Sequence, residues 1–142
     1  MRYEIPEQKK HIYQTTFAIR WGDMDAMGHV NNASYFRYME SARIDWALSI
    51  GAYPVAGAGE QGFLVVNAFC NFYRQLAYPC EVLLRMYASD PGRTTFESWV
   101  TMARREEPET ICATGGATII WVDYAQQKAL ALPDWLRQLV QD

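Results

Sequence analysis

The segment Asp23-Met24-Asp25-Ala26-Met27-Gly28-His29-Val30-Asn31-Asn32 gathers two carboxylates, an imidazole and two carboxamides into ten consecutive residues. A strand-like run ends just before it, at Trp21, and a helix-like run begins at its end, near Asn32. A carboxylate held just ahead of a helix start can meet the unpaired N–H groups of that helix across a reacting carbonyl. One group then attacks or directs water, while the others hold the negative charge that develops on oxygen. That chemistry suits hydrolysis of a thioester.

Positioning such a loop requires a strand before it and a helix after it. From Ile12 to Arg20 the pattern alternates, and Tyr13, Thr15, Phe17, Ile19 and Trp21 form a mostly apolar face, which predicts a first strand. From about Asn32 to Ile50 the period becomes helical, with Tyr35, Met39, Ala42, Trp46 and Ile50 in one apolar stripe. Asn31 or Asn32 is a natural N-cap and Gly51 a natural stop. About 18 residues make a helix ~27 Å long. Ala52–Gly62, with Pro54, Gly57 and Gly59, reads as a loop. Four strand-like runs follow, at Phe63–Tyr78, Glu81–Ser89, Thr94–Arg104 and Ile111–Tyr124, with turn signals at Asp90-Pro91-Gly92-Arg93 and around Pro108. The pair Gly115-Gly116 inside the last run predicts a bulge or a close approach to the backbone. Residues 133–141 read as a short C-terminal helix opened by Pro133, and residues 1–10 as a loose polar arm. The expectation is a single domain over residues 1–142, of α+β class, with a five-stranded antiparallel sheet wrapped around one long central helix.

This order, with D-x-D-x-x-G-H-V-N-N at the strand-to-helix junction, resembles the hotdog-fold thioesterases, in particular the branch of 4-hydroxybenzoyl-CoA and acyl-CoA thioesterases. The resemblance runs from about Tyr13 to Asp123 and is strongest over Arg20–Trp46. It implies that Asp25 takes the place of the catalytic carboxylate, as nucleophile towards the thioester carbonyl or as base towards water. It implies that the backbone N–H of Asn32 polarises that carbonyl. It further implies an acyl-CoA substrate, a homodimer or homotetramer with the site between subunits, and neither a metal nor any other cofactor. Two positions depart from related patterns. Met27 stands where plant-type acyl-ACP thioesterases carry an asparagine, and His29 follows Asp25 by four residues where hotdog hydratases have five.

Each candidate has a plainer reading. Asp25 is a common turn former, and Asp23 is its rival for the site; by the resemblance Asp25 is the catalytic acid and Asp23 a turn or partner-facing group. His29 supports the site by orienting the loop, with substrate contact and proton carriage as alternatives. Capping by Asn31 or Asn32 is compatible with an oxyanion role for the Asn32 backbone. Asn31 and Tyr35 are candidate substrate contacts. Glu40 and Arg43, three residues apart, read as an ion pair on the helix surface. Arg74, Arg85, Arg93, Arg104 and Arg105 are candidates for CoA phosphates, with none singled out. Asn67 and Asn71 either hydrogen-bond within the core or face the site. Ser34 lacks the G-x-S-x-G setting of an exposed nucleophile.

Composition narrows the classes. The 142 residues are half hydrophobic and 14% aromatic, enough for one full core. A net charge of −3 argues against a nucleic-acid binder. The cysteines, Cys70, Cys80 and Cys112, are odd in number and form no C-x-x-C pair, so free thiols are expected rather than disulfides or a zinc site. No apolar signal core opens the chain, and no apolar stretch approaches the ~20 residues of a membrane span. The expectation is a cytoplasmic protein with no membrane or nucleic-acid partner. The expected activity is that of an acyl-CoA thioesterase, with an acyl-ACP thioesterase and a non-catalytic acyl-CoA binding module as alternatives.

Overall fold

The computed structural model describes residues 3–52 and 60–142. Its elements are β1 (Lys10–Ala18), α1 (Asn32–Ser49), β2 (Gln61–Phe72), β3 (Glu81–Ser89), β4 (Thr95–Arg104), β5 (Ile111–Asp123), β6 (Lys128–Ala129) and α2 (Asp134–Val140). The strands form one antiparallel sheet in the order β1-β3-β4-β5-β2, and β6 pairs with β5. The sheet wraps α1, as the hotdog resemblance implies.

α1 forms where the 3.6-residue period predicts it. Tyr35, Met39, Ala42 and Trp46 are buried against the sheet, together with Ala47. Asn31 caps the start, its Oδ1 accepting from Ala33 N at 2.8 Å. Gly51, at φ +81°, ends the helix. There Gly51 N donates to Leu48 O and Ala52 N to Ala47 O, which satisfies the last carbonyls. The helix rests directly on β5. A Cβ at Gly115 would strike the Met39 sulfur and lie 2.8 Å from Phe69 O, so the glycine pair marks the close approach that its position in a strand predicts. Around the other end of α1, Trp46 stacks on Phe63 at 5.6 Å, and Phe96 and Trp121 meet the same ring edge-on.

Several boundaries differ from the sequence reading. β1 stops at Ala18, and the exposed Trp21 opens a 3-10 turn, Trp21–Asp23, instead of extending an apolar strand face. The cause is local: Asp23 N donates to Arg20 O and Arg20 N donates to Asp23 Oδ2, each at 3.0 Å, and this offers the backbone an alternative to the ladder. β2 takes in Gln61 and Gly62 at the end of the expected loop, whose residues 53–59 lie outside the described residues. It ends at Phe72 rather than Tyr78, because Tyr73 N and Arg74 N both turn to Cys112 O. The sheet has six strands instead of five, since a turn with Gln127 at φ +53° returns Lys128–Ala129 to β5. The N-terminal arm touches the sheet at Tyr3. Tyr3 packs edge-on to Phe69 at 5.2 Å, and its carbonyl accepts from Asn71 Nδ2 at 2.8 Å. Asn71 therefore spends its amide on the arm. Among the described residues no helix is long and apolar enough to cross a membrane.

Candidate active site

The loop between β1 and α1 is closed on itself. Met24 bridges Val30, Asp25 N donates to His29 O at 2.9 Å, and Gly28 N donates to Asp25 O at 3.1 Å. Gly28 sits at φ +80°, a conformation that a side chain disfavours, and this lets the chain reverse in so few residues. Asp25 opens the turn through Ala26 and Met27 and is exposed. Its Oδ1 accepts from Met27 N at 2.9 Å. Among the described residues its second oxygen has no hydrogen-bond partner.

The two acids have separate tasks. Asp23 faces inward, and its Oδ2 accepts from Arg20 N and from the Tyr38 hydroxyl at 2.7 Å, while its carbonyl accepts from Asn31 N at 2.9 Å. It ties the turn to α1. Burial, followed by the bond to Asp23, pushes the Tyr38 hydroxyl well above its ordinary value of 10.0. Burial also raises Tyr35 and Tyr124. Unfolded tyrosines lose their protons near that ordinary value, while these hold them to higher pH. Stability is therefore complete below about pH 10 and falls as pH rises beyond it. Melting curves at pH 9 and pH 11 should show this loss, and Tyr38→Phe should shrink it. At neutral pH the same variant should lose about 1.5 kcal/mol by removing a hydrogen bond to a carboxylate, with hydrolytic activity retained.

At the start of α1 most amides are occupied. Ala33 N goes to Asn31 Oδ1 and Ser34 N to Asn31 O at 2.9 Å. Asn32 N–H has no partner among the described residues. Asp25, His29, Asn32 and Tyr35 line one cleft of about 510 Å³, closed on the far side by Phe72–Gln75. Among the described residues Asn31 does not line it, and its Oδ1 and N–H serve the cap and Asp23. His29 is half-buried, with an Nδ1 that is buried and without a partner among the described residues. The Tyr35 hydroxyl accepts from Leu76 N at 3.4 Å, and burial raises its pKa, so it stays neutral at physiological pH. Burial likewise pushes the Cys70 thiol up to about 12, too high for a thiolate nucleophile at neutral pH.

The arginine candidates separate. Arg74 lines the cleft. Arg105 is paired with Glu81 at 2.6 Å. Arg104 donates to Gln75 O at 2.8 Å and to Cys112 Sγ at 3.8 Å. Glu40 and Arg43 show no bond within ion-pair distance among the described residues; burial lowers the Arg43 pKa and the charge of Glu40 partly offsets it. Phe72, Tyr73 and Gln75 were not singled out from sequence. Phe72 ends the strand β2 and Tyr73 and Gln75 follow it, with nothing in their types that marks a site.

Comparisons with known proteins identify the family and the fold. The family described as "Thioesterase-like superfamily" matches residues 19–140. The long-chain acyl-CoA thioesterase FadM of Escherichia coli is 32% identical over 128 residues, which cover 88% of this chain and 94% of FadM. The PA2801 protein of Pseudomonas aeruginosa superposes with a TM-score of 0.85 at 28% identity, covering 91% of this chain and 98% of that one. The gentisyl-coenzyme A thioesterase BH1999 shares the fold, with a TM-score of 0.77 at 21% identity over 88% of this chain and 99% of its own. The chain thus belongs to the thioesterase-like superfamily and is a hotdog-fold thioester hydrolase.

Proposed function

We propose that the protein is an acyl-CoA thioesterase, converting acyl-CoA and water into a free acid and CoA, with Asp25 and the Asn32 backbone as its catalytic groups. One observation carries this reading: a carboxylate oxygen and a first-turn amide, each without a partner among the described residues, belong to residues that line the same cleft. The Asn32 N–H, aided by the partial positive charge of the helix start, receives the carbonyl oxygen as it gains charge. Asp25 attacks the carbonyl carbon or takes the proton from an attacking water. The C–S bond then breaks, and the thiolate leaves and takes up a proton. On the nucleophilic route water next hydrolyses the acyl–Asp25 anhydride, which releases the acid and restores the carboxylate. His29 holds the loop, Tyr35 shapes the acyl side, and Arg74 offers a cation for CoA phosphates. Similarity to FadM, a long-chain acyl-CoA thioesterase by name, favours a long aliphatic acyl group. The free thiols fit a cytoplasmic setting. Free-thiol release from short, long and aromatic acyl-CoAs tests the proposal. Turnover of one class is expected, whereas turnover of acyl-ACP alone would overturn the choice of carrier.

The assembly belongs to the same reading. β2 ends the sheet, and its exposed Leu64, Val65 and Val66 lie along an open edge of a 12-residue strand. Such an edge is an invitation to pairing. A second copy adding along β2 gives a homodimer, and two such dimers a homotetramer. Light scattering should find a dimer or tetramer, and Val66→Lys should yield monomer with reduced hydrolysis.

A further inference from the structure

We propose that Arg104 is a positioning residue for hydrolysis: its guanidinium fixes the Gln75–Leu76 backbone from which the catalytic loop hangs. The proposal rests on the roles given above to Asp25 and Asn32. Arg104 closes β4, and its charge meets no carboxylate among the described residues within ion-pair distance. Instead Nη2 donates to Gln75 O at 2.8 Å and Nη1 reaches Cys112 Sγ at 3.8 Å. The next residue, Leu76, is fully buried, and its carbonyl accepts from Val30 N at 2.8 Å. Val30 in turn bridges Met24, so the loop carrying Asp25 and His29 is clipped shut at the residue that Leu76 holds.

The hydrogen bond made by the Leu76 N–H is weaker, while the Leu76 side chain is anchored in the core. Its N–H reaches the Tyr35 hydroxyl at 3.4 Å, beyond the usual range for a good N–H···O bond. The charge-assisted bond from Arg104 is the shorter and stronger of the two. Tyr73 and Arg74 are held separately, both by Cys112 O. Loss of Arg104 thus leaves most of the cleft wall in place, with Leu76 seated in the core and Tyr78 N on Met24 Sδ at 3.3 Å, and loosens the Gln75–Leu76 peptide that carries the loop. The expected signature is a fall in kcat without a matching rise in KM. A planar fork suits the paired contacts with Gln75 O and Cys112 Sγ, and a lysine can supply only a single point of attachment.

The test measures kcat, KM and melting temperature for Arg104→Met and Arg104→Lys, with Asp25→Asn assayed beside them. A misplacement near 1 Å can cost up to about 100-fold in rate. Arg104→Met is expected to lose roughly ten- to 100-fold in kcat, and Arg104→Lys about threefold, with KM within about twofold of native. If Arg104→Met does not fold, the lysine variant decides. A native kcat in either folded variant overturns the proposal while Asp25→Asn remains inactive. So does a loss of rate that cooling below the variant's melting transition fully restores. If Asp25→Asn keeps the native rate, the underlying assignment fails, and the role of Arg104 falls with it.

Discussion

Asp25→Asn should lower kcat for thioester hydrolysis at least ~10²-fold while leaving the melting temperature unchanged. The substitution is chosen for what it preserves. The Asp25 side chain is exposed, and its recorded structural task is to accept from Met27 N through Oδ1. An asparagine carbonyl can still accept that bond, without the charge, so the turn persists. What disappears is the anionic oxygen, which can neither attack the carbonyl nor take a proton as an amide. Asp23→Asn differs in kind: Asp23 holds Arg20 N and Tyr38, so its loss should appear in stability before activity. Kinetics and melting of the two variants side by side check the assignment. The reverse pattern would make Asp23 the catalytic acid.

Gly115→Val should destabilise the fold by about 3 kcal/mol, a drop of roughly 10 °C in melting temperature. Strand propensity alone predicts the opposite sign, because valine favours strands and glycine weakens them. Packing decides. The new Cβ would collide with the Met39 sulfur and stand 2.8 Å from the Phe69 carbonyl oxygen. The thioether can swing aside, but the carbonyl belongs to the ladder between β2 and β5 and cannot. The β-branched methyls add further overlap. Thermal melting of the variant checks this, and an unchanged or raised midpoint would mean that α1 does not rest on β5 at this point.

The parts of the fold legible in the sequence were those written in long periods or in residues with special conformations. The stripe Tyr35, Met39, Ala42, Trp46 located α1 and its buried face, and Gly51 located its end. Gly115-Gly116 announced a close approach, although nothing local could name Met39 as the neighbour. The place of the loop between β1 and α1 was legible because acids, glycine, histidine and asparagines stand together there. The far wall of the cleft was not. Gln75 and Leu76 act through a backbone carbonyl and amide, which every residue possesses, and Arg104 reaches them from another strand. The end of β2 depends on Cys112 O capturing two successive amides, a long-range contact that alternation cannot encode. Likewise, the contact of Tyr3 with Phe69 and Asn71 joins residues far apart in the chain, which the polar composition of the arm does not encode.

In the proposed mechanism the Asn32 amide faces the reacting carbonyl. The most direct measurement is the ¹H–¹⁵N spectrum of the protein titrated with a ketone analogue of acyl-CoA, in which CH₂ replaces sulfur and no bond can break. The account predicts a large downfield shift of the Asn32 amide proton on binding, as an unpaired donor gains an oxygen, with smaller shifts at Ala33 and Ser34, whose amides are already bonded. Saturable binding that leaves Asn32 unmoved would contradict it.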